Sequence, residues 1–233
     1  MNFETWEPVY DRVLEAFGYG PNGDKKARDR LADLYLETGN SVEETLSTLE
    51  FAGETVAVTG GAESLKDDLD MVEQASSVVA ASAAARSLRE EGFAVDCMVT
   101  DLDGAPETAK TLTSNGVPVA VHAHGDNIPA LEAHFPDFDS TAVIPTTQAR
   151  PTETVRNFGG FTDGDRAAFL ADQLGATEVV FPGWEFDDKT VRPEKRQKLA
   201  WAARLLHWLE HRRDERFTVL DGRRDDIDIS PFG

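Results

Sequence analysis

From residue 55 onward, short apolar runs alternate with amphipathic stretches, and this alternation leaves few folds open to the chain. The runs fall at residues 55–59, 77–81, 97–100, 117–122, 141–145, 178–182 and 217–220, separated by helical stretches at 65–74, 83–91, 106–114, 166–174 and 193–211. Successive apolar positions mean that both faces of each strand need cover, which predicts a mostly parallel sheet with helices on both sides. The expected fold class is therefore α/β, a Rossmann-like three-layer sheet. Residues 1–52 show no strand pattern. Val13, Leu14 and Phe17, then Leu31, Leu34 and Tyr35, then Leu46, Leu49 and Phe51 recur at helical spacing. They predict an N-terminal helical segment ahead of an α/β domain at 53–233, with Ser41 and Glu44 forming a capping box on the last of its helices.

A chain of 233 residues is long enough for one such domain with a helical appendage. Its 43 acidic and 23 basic residues give a formal charge of −20, which argues against a broad electrostatic footprint for nucleic acid or anionic lipid. An acidic excess in which Asp is the commonest acid, with few lysines, is similar to that of a salt-adapted, halophilic proteome, in which concentrated salt screens the self-repulsion. Cys97 is the only cysteine, so an intrachain disulfide and a thiolate metal cluster are excluded. The start of the chain lacks a basic flank followed by an apolar core, and no apolar run approaches the roughly 18 residues of a membrane span. The expectation is a soluble cytoplasmic protein, with a homodimer as its default assembly.

In a parallel sheet of this kind, ligands bind beyond the carboxyl ends of the strands. The residues that follow the runs are polar, glycine-rich and acidic. Asp101 and Asp103 stand two residues apart after the third run, where strand pleating would point both the same way. One magnesium ion could bridge them, since magnesium commonly takes one or two carboxylates plus substrate phosphates. The alternative is an Asp-rich turn that caps a helix. After the fourth run, His122 and His124 alternate ahead of Asp126, and Asn127 can cap the next helix. A His-x-His-x-Asp run also fits zinc, yet the remaining histidines, His134, His207 and His211, fall on helical segments. The favoured reading has Asp126 joining a magnesium site while one histidine hydrogen-bonds substrate and the other packs.

The loop Phe158-Gly159-Gly160-Phe161-Thr162-Asp163-Gly164-Asp165-Arg166 leads into a helix. It offers backbone N–H groups, two carboxylates and two aromatics able to stack on a flat ring. Either Asp163 or Asp165 is expected to cap that helix. Gly60-Gly61-Ala62-Glu63-Ser64 could cradle phosphate, although it lacks the Gly-Lys-Ser/Thr ending of a P-loop. Lys189, Arg192, Lys195, Arg196 and Lys198 crowd around the helix that starts at Pro193. The helix dipole disfavours cations there unless an anion is bound, and a triphosphate would be such an anion. The alternative is a solvated face paired with Asp187, Asp188 and Glu194.

Taken together, Val-Thr-Asp-Leu-Asp-Gly at 99–104, His-Ala-His-Gly-Asp-Asn at 122–127, Thr-Thr-Gln at 146–148 and Asn-Phe-Gly-Gly-Phe-Thr-Asp-Gly-Asp-Arg at 157–166 form an ordered set. Over about residues 50–215 the chain resembles the archaeal 6-hydroxymethyl-7,8-dihydropterin pyrophosphokinases. The resemblance implies a core similar to thiamine pyrophosphokinase and transfer of diphosphate from ATP to a pterin hydroxymethyl group, releasing AMP, in folate or methanopterin biosynthesis. It implies Mg2+ with ATP as co-substrate, and Asp101, Asp103, Asp126, Asp163 and Asp165 as metal and phosphate-site residues. Asn127, Gln148, Phe158, Phe161 and Thr162, with His122 and His124, are the pterin-site candidates. Gly60, Gly61, Ser64, Lys189 and Arg192 are the nucleotide-site candidates, and Lys195 and Lys198 would balance charge in the transfer. Relatives are expected to carry an acidic residue near Ser82, where this chain has Ala81-Ser82-Ala83. Three other functions fit the same motifs: a thiamine pyrophosphokinase, a zinc metallohydrolase, and a nucleotide-binding domain without turnover.

Overall fold

A computed structural model describes residues 1–232. Three helices come first: α1 (Phe3–Phe17), α2 (Pro21–Leu36) and α3 (Val42–Leu46). Asn2 starts α1 by accepting the Thr5 N–H at 2.9 Å, and Gly18 ends it in a left-handed conformation at φ 66°. Between these caps Phe3, Trp6, Val9, Tyr10, Val13 and Leu14 form one buried stripe. In α2 the stripe is Ala27, Leu31 and Tyr35, and the helix packs on the strands Val119–Ala123 and Val143–Thr147. Full burial of Leu31 alone stabilises by about 2 kcal/mol. These residues join the same hydrophobic cluster as the sheet, so the N-terminal helices have no separate core.

The strands are β1 (Thr55–Thr59), β2 (Ser77–Ala81), β3 (Cys97–Thr100), β4 (Val119–Ala123), β5 (Val143–Thr147) and β6 (Glu178–Val180). They form one all-parallel sheet in the order β5-β4-β3-β2-β1-β6. Helices α4 (Leu69–Gln74), α5 (Ser82–Glu90), α6 (Pro106–Ser114) and α7 (Ile128–His134) link consecutive strands from β1 to β5. Right-handed crossovers stepping in one direction place these four helices on one face. The return from β5 to β6 reverses direction, so α8 (Asp163–Gln173) crosses the opposite face and packs on β1, β2 and β3. Helix α9 (Pro193–Arg213) packs on α8, completing the three layers.

Three local expectations need correction. Residues 217–220 form no strand: Thr218–Leu220 is a 3-10 turn, and the Phe217 N–H donates to Glu210 Oε1 at 2.6 Å instead of to a sheet neighbour. The helix expected at 65–74 is split into a 3-10 turn at Glu63–Lys66 and α4, with Asp68 between them accepting the Gly183 N–H at 2.9 Å. Ser41 does precede α3 but forms no side-chain cap; its hydroxyl turns to Glu43 at 3.5 Å.

Candidate active site

Strand β3 ends at Thr100, so Asp101 and Asp103 lie beyond the pleat expected to align them. What aligns them is a turn. Leu102, 3% exposed, adopts φ 72°, a left-handed conformation that costs a residue with a Cβ about 1 kcal/mol. The turn is held by the Leu102 N–H donating to Thr100 Oγ1 at 2.9 Å and the Asp103 N–H donating to Asp101 Oδ1 at 3.3 Å. A third carboxylate arrives from the far side of the sheet as the first residue of α8, Asp163. Asp101, Asp103 and Asp163 each offer one oxygen, all within 4.8 Å of one another.

The cluster is electrostatically tense. Burial and the neighbouring Asp101 charge push the Asp163 carboxyl up to about 7. Burial and Asp101 also raise Asp103. Burial acts on Asp101 in the same direction, but the hydrogen bond from His124 and the Arg166 charge outweigh it and hold this carboxyl well below the usual range. Arg166 is the buried counter-charge: one Nη1 lies 3.0 Å from Asp163 Oδ1, and Nη2 donates to Gln148 Oε1 at 3.2 Å. Ser82, the first residue of α5, places its hydroxyl 2.7 Å from both Asp163 Oδ2 and Thr100 Oγ1.

The loop after β4 forms the second wall. His124 stands between two carboxylates, with Nε2 at 3.3 Å from Asp101 Oδ2 and Nδ1 at 3.2 Å from Asp126 Oδ1. Asn127 braces the loop: its amide donates to Asp101 O and His122 O at 2.9 and 2.7 Å, and its oxygen accepts the His124 N–H at 3.0 Å. Behind it, His122 lines a small recess with Val99, Thr146, Phe158, Gly159 and Arg166. Burial and the Arg166 charge lower its pKa well below the ordinary histidine value. Thr146 Oγ1 donates to Val121 O at 3.1 Å, so at 3.1 Å from His122 Nδ1 it accepts, which puts the imidazole proton on Nδ1. His122 Nε2 and Arg166 Nε are both buried without a hydrogen-bond partner.

With this geometry in view, the model of the MptE-like family, described as 6-hydroxymethylpterin diphosphokinase MptE-like, matches residues 31–190. The chain belongs to this family. It is 36% identical to a 6-hydroxymethyl-7,8-dihydropterin pyrophosphokinase of Pyrococcus furiosus, covering 91% of this chain and 95% of the relative. The namesake enzyme of Methanothermobacter thermautotrophicus is 35% identical over 93% of this chain and 98% of its own. That of Methanocaldococcus jannaschii is 28% identical over 90% and 96%.

In this diphosphokinase-family chain the residues singled out by sequence separate into groups. Asp101, Asp103 and Asp163 converge. Asp126 does not: its side chain is 94% exposed and outside the cluster, because the turn through Gly125 aims it at His124. Asp165 is fully buried and caps α8, accepting the Phe161 and Thr162 N–H groups and the Thr162 hydroxyl, so both Asp165 and Thr162 are occupied in the cap. Phe161 is 8% exposed and packs on Phe17 at 4.8 Å, while Phe158 lines the recess. Gln148 Nε2 donates to Asp24 at 2.9 Å, and its oxygen serves Arg166.

The glycine turn after β1 is a backbone junction. The Gly60 N–H donates to Pro182 O at 2.9 Å, and a Cβ on Gly60 would meet Gly183 O at 2.3 Å, so this amide has no hydrogen left for a phosphate. Gly61 stays exposed beside Ala83 of α5, and Ser64 Oγ is buried without a partner. Of the α9 cations, Lys198 is the one whose charge bears on Asp103; it also pairs with Glu194 at 4.0 Å. Lys189, Arg192 and Lys195 are exposed around the start of the helix. Among the described residues, the one group of three or more ligating side chains is all carboxylate, so the His-x-His-x-Asp run does not assemble a zinc site. Arg166 and Ser82 were not among the expected site residues; their signal is position, one helical turn after Asp163 and directly after β2.

Proposed function

We propose that this protein transfers the β,γ-diphosphate of ATP to the hydroxymethyl group of 6-hydroxymethyl-7,8-dihydropterin and releases AMP. The observation that carries this reading is the convergence of Asp101, Asp103 and Asp163 around a buried Arg166 at the carboxyl edge of a parallel sheet, in a chain of this family. The donor set is oxygen alone, which suits magnesium; Asp101, Asp103 and Asp163 would hold it. When bound, it supplies charge neutralisation for the triphosphate.

Phosphoryl-type transfer asks a protein mainly for positioning and compensation of charge. Arg166 supplies a fixed positive charge between the acidic cluster and the recess. Lys198, and Lys195 one turn before it, add mobile positive charge at the nucleotide side. His122, Phe158 and Arg166 line a recess of only about 10 Å3, too small for the ring itself, and the pterin would stand on this side of the acidic cluster. The acceptor hydroxyl attacks the β-phosphorus and gives up its proton to solvent, and the bond from that phosphorus to the α,β-bridging oxygen breaks as AMP departs.

The test is AMP release from ATP and magnesium in high KCl, with hydroxymethyldihydropterin, thiamine or no acceptor in parallel. AMP appearing with the pterin alone is the expected result. AMP with thiamine alone, or in neither case, would overturn the assignment.

A further inference from the structure

The carboxylate of Asp24, in the first turn of α2, is 3% exposed and forms no ion pair with any cation among the described residues. Burying a carboxylate is costly unless its lone pairs are occupied. Here three donors from three parts of the chain occupy them. The Gly125 N–H reaches Oδ1 at 2.7 Å, and the Tyr10 hydroxyl and Gln148 Nε2 reach Oδ2 at 2.6 and 2.9 Å. Next to this carboxylate, α2 and the loop after β4 touch backbone to backbone: a Cβ on Gly23 would lie 2.9 Å from Gly125 Cα.

Each of two contacts leads to a different carboxylate of the acidic cluster. Gly125 joins His124, whose Nε2 faces Asp101 at 3.3 Å, to Asp126. Gln148 passes from Asp24 on its nitrogen to Arg166 on its oxygen, and Arg166 holds Asp163. One side chain therefore braces both the β4 loop and the β5 loop, and through them the two carboxylates that come from opposite faces of the sheet.

We infer that Asp24, with Gly23, is a positioning residue of the active site: the start of α2 sets where the His124 loop and Arg166 stand, and so the separation of Asp101 from Asp163. The N-terminal helices are then part of the catalytic unit. Only the kinetic arm of the test below rests on the diphosphokinase reading.

Gly23→Ala, Asp24→Ala, Asp24→Asn and Leu31→Ala are compared with wild type in the full chain. Three quantities are measured: hydrogen exchange at the Gly125 amide, Mn2+ affinity by electron paramagnetic resonance, and kcat and KM for pterin-dependent AMP release. Leu31→Ala weakens the packing of the same helix without touching the loop. Gly23→Ala and Asp24→Ala should speed Gly125 exchange at least tenfold, weaken Mn2+ binding several-fold and lower kcat at least tenfold, with the KM for ATP changed less than threefold. Asp24→Asn, which keeps an acceptor for Gly125, should restore part of each loss. Leu31→Ala should lower the melting temperature and leave all three quantities within twofold. The inference is overturned if Gly23→Ala leaves exchange and Mn2+ affinity within twofold of wild type, or if Leu31→Ala reproduces its losses. A wild-type protein inactive on the pterin would remove the functional reading, while exchange and Mn2+ binding would still decide this one. Should Asp24→Ala fail to fold, Gly23→Ala alone carries the decision.

Discussion

Arg166 Nη1 lies 3.0 Å from Asp163 Oδ1, and the two side chains are only 6% and 14% exposed, so each is the other's main compensation for leaving water. Removing one member of such a pair strands the other. Arg166→Met is expected to destabilise the fold by about 3–5 kcal/mol, measured by urea unfolding in the absence of divalent ions. Arg166→Lys should lose less stability but still lower kcat, because a single ammonium cannot reach Asp163 and Gln148 together.

Of the acidic residues in this region, the converging Asp101 and Asp163 are expected to matter for catalysis and the outlying Asp126 is not. Asp101→Asn and Asp163→Asn should each lower kcat by about 100-fold or more, roughly 3 kcal/mol of transition-state stabilisation. Asp126→Asn should stay within about threefold of wild type, since a threefold change is under 1 kcal/mol and Asp126 stands outside the cluster. Steady-state AMP formation at saturating ATP checks all three. An Asp126→Asn variant as impaired as Asp101→Asn would place Asp126 among the working carboxylates.

Asp163 gives a stability signature in pH. Its carboxyl is pushed up to about 7 in the fold, above its ordinary value near 3.8. A raised acid favours the protonated folded state, so its contribution is fully present below the ordinary value and is lost as pH rises through about 7. In metal-free protein, the stability of wild type relative to Asp163→Asn should therefore decline between pH 4 and pH 7.5. Thermal denaturation across that range in chelator is the measurement. A flat difference would contradict the assignment.

His122 lines the recess, with Nδ1 on Thr146 and Nε2 buried without a partner. His122→Phe should raise the KM for the pterin about tenfold, near 1.4 kcal/mol, while the KM for ATP stays constant. Equal increases in both would place the residue in general packing instead.

The charge of −20 carries its own expectation. Melting temperature should rise from low salt to molar KCl as self-repulsion is screened. A melting curve indifferent to salt would show that local pairings already neutralise the surface.

The parallel sheet was legible in the sequence because its strands are apolar on both faces, a pattern that survives without knowledge of partners. The run at 217–220 was misread for the same reason: Phe217 is buried by packing on Phe181 at 4.8 Å, and burial by a helix-terminal turn leaves the same apolar trace as a strand. Among site residues, Asp101 and Asp103 could be found locally, although the cause of their alignment is the left-handed Leu102. Asp126 follows the fourth run and belongs to a motif of the resemblance, and only the three-dimensional course of the loop shows its side chain facing solvent outside the cluster. Asp24 was illegible. It reads as an ordinary acid in the first turn of a helix, and its three donors come from residues 10, 125 and 148.

Because α8 recrosses the sheet to bring Asp163 over β3, the acidic cluster is divided along the chain as well as across the sheet. As the polypeptide is synthesised, β1 to β5 can pair and Asp101 and Asp103 are already present, yet the third oxygen and the guanidinium emerge later, with the helix that covers the second face. The three-carboxylate cluster is therefore completed only when α8 is in place. A chain that stops short of α8 would hold an open sheet face and two of the three carboxylates, without Arg166.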